Sequence, residues 1–134
     1  MYKFEVSTTE NSIYYQENLL LQIYDDNASS VTLSNTLDFE VVPERATPIS
    51  KMFRSAKKAQ KLSVFETSQP ISELSLFISY LFDEDITTEG DFSFICTVKV
   101  YKDNKLFDTN NYNFNKTSIE PAVLNYLNNE SWKN

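Results

Sequence analysis

The chain has no histidine, one glycine and one cysteine among its 134 residues, and each shortage removes a class of chemistry. Without imidazole, the commonest general base near neutral pH and the commonest metal-ligand side chain are both missing, so neither a Ser-His-Asp nor a Cys-His site can be assembled. A single glycine, Gly90, cannot build a G-x-G-x-x-G turn or a Walker-type loop, both of which need several residues without a Cβ where backbone meets phosphate. One thiol and no imidazole cannot complete a tetrahedral zinc shell. Nothing in this inventory equips an enzyme, and no cofactor is expected.

Cys96 has no partner for an intramolecular disulfide, and the first ten residues, MYKFEVSTTE, lack the basic and apolar regions of a secretion signal. A cytoplasmic home is the default expectation. The longest near-apolar run, LSLFISYLF at 74–82, is far short of the roughly 18 residues that span a bilayer as a helix, so no membrane segment is expected.

What is present is apolar and aromatic: 41% of the residues are hydrophobic, with ten Phe and eight Tyr, enough for the core of one domain over residues 1–134. Thirteen Asn compensate for the missing glycines, because Asn tolerates the left-handed region best after Gly. The segments YDDNAS at 24–29 and YKDNKL at 101–106 read as turns.

Strand periodicity is clearest at 31–41, where Val31, Leu33, Leu37, Phe39 and Val41 alternate with polar residues. Tyr2, Phe4 and Val6 repeat the pattern, and Ile13, Tyr15, Leu19, Leu21 and Ile23 extend it, which favours an antiparallel meander. Phe92, Phe94, Cys96, Val98 and Val100 alternate in the same way, with a partner strand returning after Asp103-Asn104. On its strand Cys96 stands in line with Phe94 and Val98, as a buried structural thiol would. Elsewhere the spacing suggests helices: 47–62 with Thr47 as N-cap and an Ile49, Met52, Phe53, Ala56 stripe, 68–82 with Ile71, Leu74, Phe77, Ile78 and Leu81 inward, and a last one after Ser118. The second of these also fits period two, and helix is the favoured reading. The fold class expected is therefore α+β: about five mainly antiparallel strands with two or three helices packed on them.

Charge is distributed unevenly. From Leu62 to Val98 there are seven acids and no Lys or Arg, whereas Arg45, Lys51, Arg54, Lys57, Lys58 and Lys61 crowd six of the twelve basic residues into seventeen positions. The net charge of −7 disfavours nucleic acid and anionic membranes as direct partners. Within the acidic span Asp83, Glu84, Asp85, Glu89 and Asp91 fall in nine positions.

Four readings compete for that cluster. An EF-hand starting at Asp83 fails, since its sixth position is Thr88 and its twelfth Phe94; a looser Ca²⁺ or Mg²⁺ site would draw on Asp83, Asp85 and Glu89. A glycosidase-like carboxylate pair needs two acids facing each other across a cleft, and neither Asp38 with Glu40 nor any pair within 83–91 carries a distinctive signature. A solvated loop is the plain alternative. Against it, acids at the C-terminus of a helix over 70–82 would oppose the helix dipole by about 0.3–1 kcal/mol each.

The fourth reading is a docking surface for a basic protein, with Tyr80, Phe82 and Phe92 as apolar anchors and Asp38 and Glu40 as helpers. In being small, acidic and without catalytic equipment the chain resembles, in general terms only, bacterial immunity proteins and phage-encoded inhibitors, which block a nuclease or a nucleic-acid-binding complex. The function expected is accordingly non-enzymatic binding to a basic partner such as a nuclease toxin. A small-ligand-binding or weakly catalytic domain with an aromatic and carboxylate pocket, or an assembly subunit, are the alternatives.

Overall fold

The computed structural model describes residues 1–35 and 39–127. Ten strands run through them: β1 (Tyr2–Thr8), β2 (Tyr15–Tyr24), β3 (Leu33–Asn35), β4 (Glu40–Val41), β5 (Ser50–Lys58), β6 (Leu62–Thr67), β7 (Glu73–Phe82), β8 (Phe94–Lys102), β9 (Lys105–Phe114) and β10 (Ala122–Leu127). They form two antiparallel five-stranded sheets, ordered β3-β6-β1-β8-β9 and β10-β7-β2-β5-β4. The only helical pieces among the described residues are three short 3₁₀ turns at Glu10–Tyr14, Ala28–Ser30 and Pro43–Arg45. The α+β expectation is overturned: this is an all-β sandwich.

The three expected helices fail for one reason. Segment 47–62 is β5, paired with β2 along nine register positions, and Phe53 and Ser55 point inward while Ile49, assigned to the inner stripe, is 59% exposed. Helix preferences of Ala, Lys, Arg and Met amount to tenths of a kcal/mol per residue and yield to the ladder with β2, which also lets the segment bury its alternate residues. Segment 73–82 is the second sheet's β7, held between β2 and β10, with Leu74, Leu76, Ile78 and Tyr80 buried at period two. Past Ser118, Ile119 is 91% exposed, and Ala122, Leu124 and Tyr126 are the buried set of β10.

The expected meander is also corrected. β1 and β2 lie in different sheets, as do β5 and β6, so the chain crosses the sandwich repeatedly. The single strand read at 31–41 is split: β3 pairs with β6 in the first sheet, β4 pairs with β5 in the second, and residues 36–38 between them, including Leu37 and Asp38, lie outside the described residues. Between the sheets the inward faces are as the alternation predicted for Tyr2, Phe4, Val6, Tyr15, Leu19, Leu21, Ile23, Phe94, Cys96, Val98 and Val100, all buried. Ile13 and Val41 are exceptions among the described residues, at 46% and 41% exposed, because the first belongs to the 3₁₀ turn before β2 and the second to the edge strand β4.

The β8–β9 hairpin closes through Asp103 and Asn104, both with positive φ (51° and 68°), opposite the pair Lys102 and Lys105. Two left-handed residues make the mirror-image turn whose twist matches a hairpin, and Asn replaces the usual glycine. Asn104→Ala should cost about 1 kcal/mol through the Cβ clash of that region, while Asn104→Gly should be close to neutral; urea midpoints of the two variants check the pair.

Candidate functional site

β7 ends at Phe82, β8 begins at Phe94, and the residues between form a loop at one pole of the sandwich. Its course is set at both ends. The Asp83 N–H donates to the Tyr14 carbonyl (2.9 Å) and extends the ladder, after which the Asp85 N–H donates to Asp83 Oδ1 (2.9 Å) and the Ile86 N–H to the Asp83 carbonyl (3.1 Å). One carboxylate oxygen of Asp83 thus caps its own turn. At the far end the Tyr15 hydroxyl donates to the Phe92 carbonyl (2.8 Å), Asn11 Nδ2 to the Ser93 carbonyl (2.9 Å), and the Lys116 N–H to the Asp91 carbonyl (3.1 Å).

Aromatic rings hold the loop shut between these ties. The Phe82 and Phe92 ring centroids lie 5.0 Å apart; Phe82 packs edge-on against Tyr15 at 5.2 Å and Phe92 against Tyr14 at 5.1 Å. Phe92 has φ 50°, a conformation that a bulky side chain adopts only under constraint, and its ring contacts supply that constraint. Both rings turn inward against the core. Asp83, Glu84, Asp85, Glu89 and Asp91 are left exposed on the outside as one acidic ridge. Since the segment before them is a strand, the dipole objection to acids at this place disappears.

Beside the ridge is an open cleft of about 450 Å³ whose wall combines Asp83, Glu84 and Asp85 with Lys58, Ile13 and Leu81. Ile13 is 46% and Leu81 57% exposed, so these two are the apolar groups offered next to the acids. The sequence reading missed them. Leu81 carried a usable signal: with Leu74, Leu76, Ile78 and Tyr80 in phase, it is the leucine that must face out.

The expected anchors stand elsewhere. Tyr80 is 6% exposed, with its ring 4.8 Å from both Phe94 and Phe114, so it belongs to the interior and not to a contact surface. Phe82 is half-buried in the ring cluster. Glu40, on the edge strand β4, pairs with Arg54 (3.6 Å) and lies three strands away from β7 in the sheet order, roughly 14 Å at ordinary strand spacing. It does not join the ridge. Asp38 lies outside the described residues.

Of the six crowded basic residues four lie on β5, divided between its sides. Lys51 donates to the Val31 carbonyl (2.7 Å), Arg54 and Lys58 are exposed, and Lys57 stands directly opposite Glu17 in the β2–β5 register.

Among the described residues Glu17 is the one acid buried inside the sandwich, 3% exposed, and the alternation did not mark it. Its Oε2 accepts from the Tyr80 hydroxyl at 2.7 Å and its Oε1 from Ser63 Oγ at 3.4 Å. Burial raises its pKa above the ordinary carboxyl value, with those two hydrogen bonds acting in the opposite direction. The same burial, reinforced by the Glu17 charge, pushes the Tyr80 hydroxyl far up and the Cys96 thiol up to about 11, so Cys96 is an inert thiol. Glu17 lines neither the cleft by the ridge nor the one along Thr8, Asn11 and Ser93. Among the described residues no buried side-chain polar atom lacks a partner, and no three acids or thiols converge as a metal site would require. No described helix is long and apolar enough to cross a membrane.

No family model matches the chain, and no curated protein matches its sequence. Two solved structures share its architecture. The calcium-bound form of a protein from Parabacteroides distasonis, determined by NMR, aligns with a TM-score of 0.64 at 15% identity over 93% of this chain and 90% of that one. The crystal structure of a DUF4425 family protein from Bacteroides ovatus aligns with a TM-score of 0.59 at 16% identity, again over 93% and 90%. At such identities the likeness concerns the fold alone.

Proposed function

We propose that the protein acts by binding a basic protein partner through the acidic ridge and the adjoining cleft, as an inhibitor or immunity-type protein acting in the cytoplasm. The observation that carries this reading is the placement of Asp83, Glu84, Asp85, Glu89 and Asp91, all exposed on a loop whose aromatic ends are pinned to the core. A pinned loop presents charge without losing much freedom on association, which favours both rate and affinity. Ile13 and Leu81 provide the apolar contacts that charge alone does not. The alternative of a small-ligand pocket is disfavoured, because the aromatic and carboxylate pair Tyr80 and Glu17 is closed inside the sandwich.

The test is affinity capture from the source cell on the immobilised chain, alongside the triple variant Glu84→Lys, Asp85→Lys, Glu89→Lys, which leaves the Asp83 turn cap in place. The expected result is a basic protein held by the natural chain, released by about 0.5 M salt, and lost from the triple variant, whose melting temperature stays unchanged. Equal capture by the two chains would refute the reading.

A second reading has only the calcium-bound Parabacteroides neighbour behind it: Asp83, Glu84 and Asp85 line one cleft but do not converge as a metal site would, so an ion would have to draw them together. Calorimetric titration with Ca²⁺ separates the two. Saturable binding below about 1 mM that the triple variant lacks would favour the cation.

A further inference from the structure

The outer faces of the two sheets differ in kind. Across the first, charge occupies the middle: Lys3 and Glu5 of β1 face outward beside Glu66 of β6 and Lys99 of β8. Across the second, the outward residues of central β2 are uncharged from Gln16 to Tyr24, and β7 turns out Ser75, Phe77, Ser79 and Leu81. Leu20, Phe77 and Val123 lie side by side in one row over three strands, each half-buried by its neighbours and open on top. An uncharged centre with apolar residues and a charged margin is how interfaces differ from ordinary surface.

The margin has opposite signs on its two sides. Lys58 is exposed on β5, and Asp83, Glu84 and Asp85 follow the far end of β7, while Arg54, the register partner of Leu20, is already paired with Glu40 of β4. We infer that this face packs on the same face of a second copy, with a two-fold axis running along β2 in the plane between them. Such an axis keeps height along the strands and exchanges the β5 side with the β7 side. Lys58 and Leu81 stand at one height, since both are register partners of Gln16. Lys58 of each copy therefore meets the end of β7 and the acids beyond it in the other, and Leu20 meets its own counterpart near the axis. The strands of the two copies run nearly aligned, the ordinary arrangement of stacked sheets about 10 Å apart.

The face across β5, β2, β7 and β10 measures about 20 by 30 Å, so the two copies bury on the order of 1,200 Å², the lower limit of stable interfaces. An interface of this size lies at the weak end, so the concentration range that tests association is wide. The dimer requires no basic partner, but it covers Asp83, Glu84 and Asp85, so a basic protein held by the ridge would compete with it.

Light scattering and sedimentation velocity of the full chain, from about 1 µM to about 1 mM, read it directly. The expected mass rises with concentration toward twice the 15.6 kDa chain mass. Leu20→Lys places like charges together at the axis and should weaken association by at least about tenfold with the circular dichroism spectrum unchanged. The decisive arm uses two variants, Lys58→Glu and the pair Asp83→Lys with Asp85→Lys. Each alone should stay monomeric, and their equimolar mixture should form a heterodimer, because only there do opposite charges meet at both margins. A monomer at every concentration, or a mixture that stays monomeric while the natural chain dimerises, overturns the proposed packing.

Discussion

Phe4→Ala is expected to cost about 3–5 kcal/mol, a large share of the total stability of a chain this size. Phe4 sits at the middle of β1, itself the central strand of its sheet, between Phe65 on β6 and Val100 on β8 in the register. It is 0% exposed and stacks on Phe65 with centroids 5.0 Å apart, while Tyr126 of the opposite sheet approaches to 6.5 Å. Removing the ring empties space bordered by both sheets, and neither can close over it, because each is fixed by its own ladders on either side. Phe4→Leu, which keeps most of the volume, should cost less than half as much. Urea unfolding followed by tyrosine fluorescence gives both values, and equal costs for the two substitutions would show that ring stacking, not volume, dominates this position.

How much of this molecule could be read from its residues depended on which signal a segment carried. Phe94 to Val100 alternates without interruption, and Asp103-Asn104 is a turn by residue type, so the β8–β9 hairpin was legible. The β5, β7 and β10 segments were misread because Leu, Ala, Met and Lys fit both periods, and only pairing with β2 and β7 decides between them. Which strands share a sheet was not legible at all: β1 and β2 look like consecutive hairpin arms, yet the 3₁₀ turn at Glu10–Tyr14 carries the chain across the sandwich. In the candidate site, the five acids were visible as composition. Their apolar companions were misassigned, because Tyr80 and Phe82 are aromatic and adjacent, whereas Leu81 faces out by strand parity alone. Glu17 was hidden for a related reason: it occupies an inward position between Tyr15 and Leu19 as a polar residue, and only the Tyr80 and Ser63 hydroxyls arriving from other strands make that position tolerable.

Glu17→Gln is expected to stabilise the protein at pH 7 and to leave it nearly unchanged near pH 4. Burial favours the neutral carboxyl in the folded chain, so the folded-state pKa lies above the ordinary value of 4.5 that the unfolded chain keeps. Below 4.5 both states hold the proton and the group has no effect on folding. As the pH rises past that value the unfolded chain releases its proton first, stability falls, and the loss levels off once the raised folded value is passed. The direction is opposite to that of a paired surface carboxylate. Gln keeps the shape and still accepts from Tyr80 Oη through its amide oxygen, but has no proton to lose, so the difference between the two proteins should open between pH 4.5 and neutrality. Around the carboxyl stand Tyr80 on β7, Ser63 on β6, the Cys96 thiol next to the Tyr80 hydroxyl (3.5 Å) and Lys57 opposite on β5. Tyr80→Phe removes the stronger of the two hydrogen bonds to the ionised form and should steepen the same slope while lowering stability at neutral pH. Thermal melts across this pH range read the effect, each 1 kcal/mol being worth about 4 °C in a domain of this length. If Gln lowers the melting temperature at pH 7, the ionised form of Glu17 is the one the fold favours, and Lys57 is then the group that holds it.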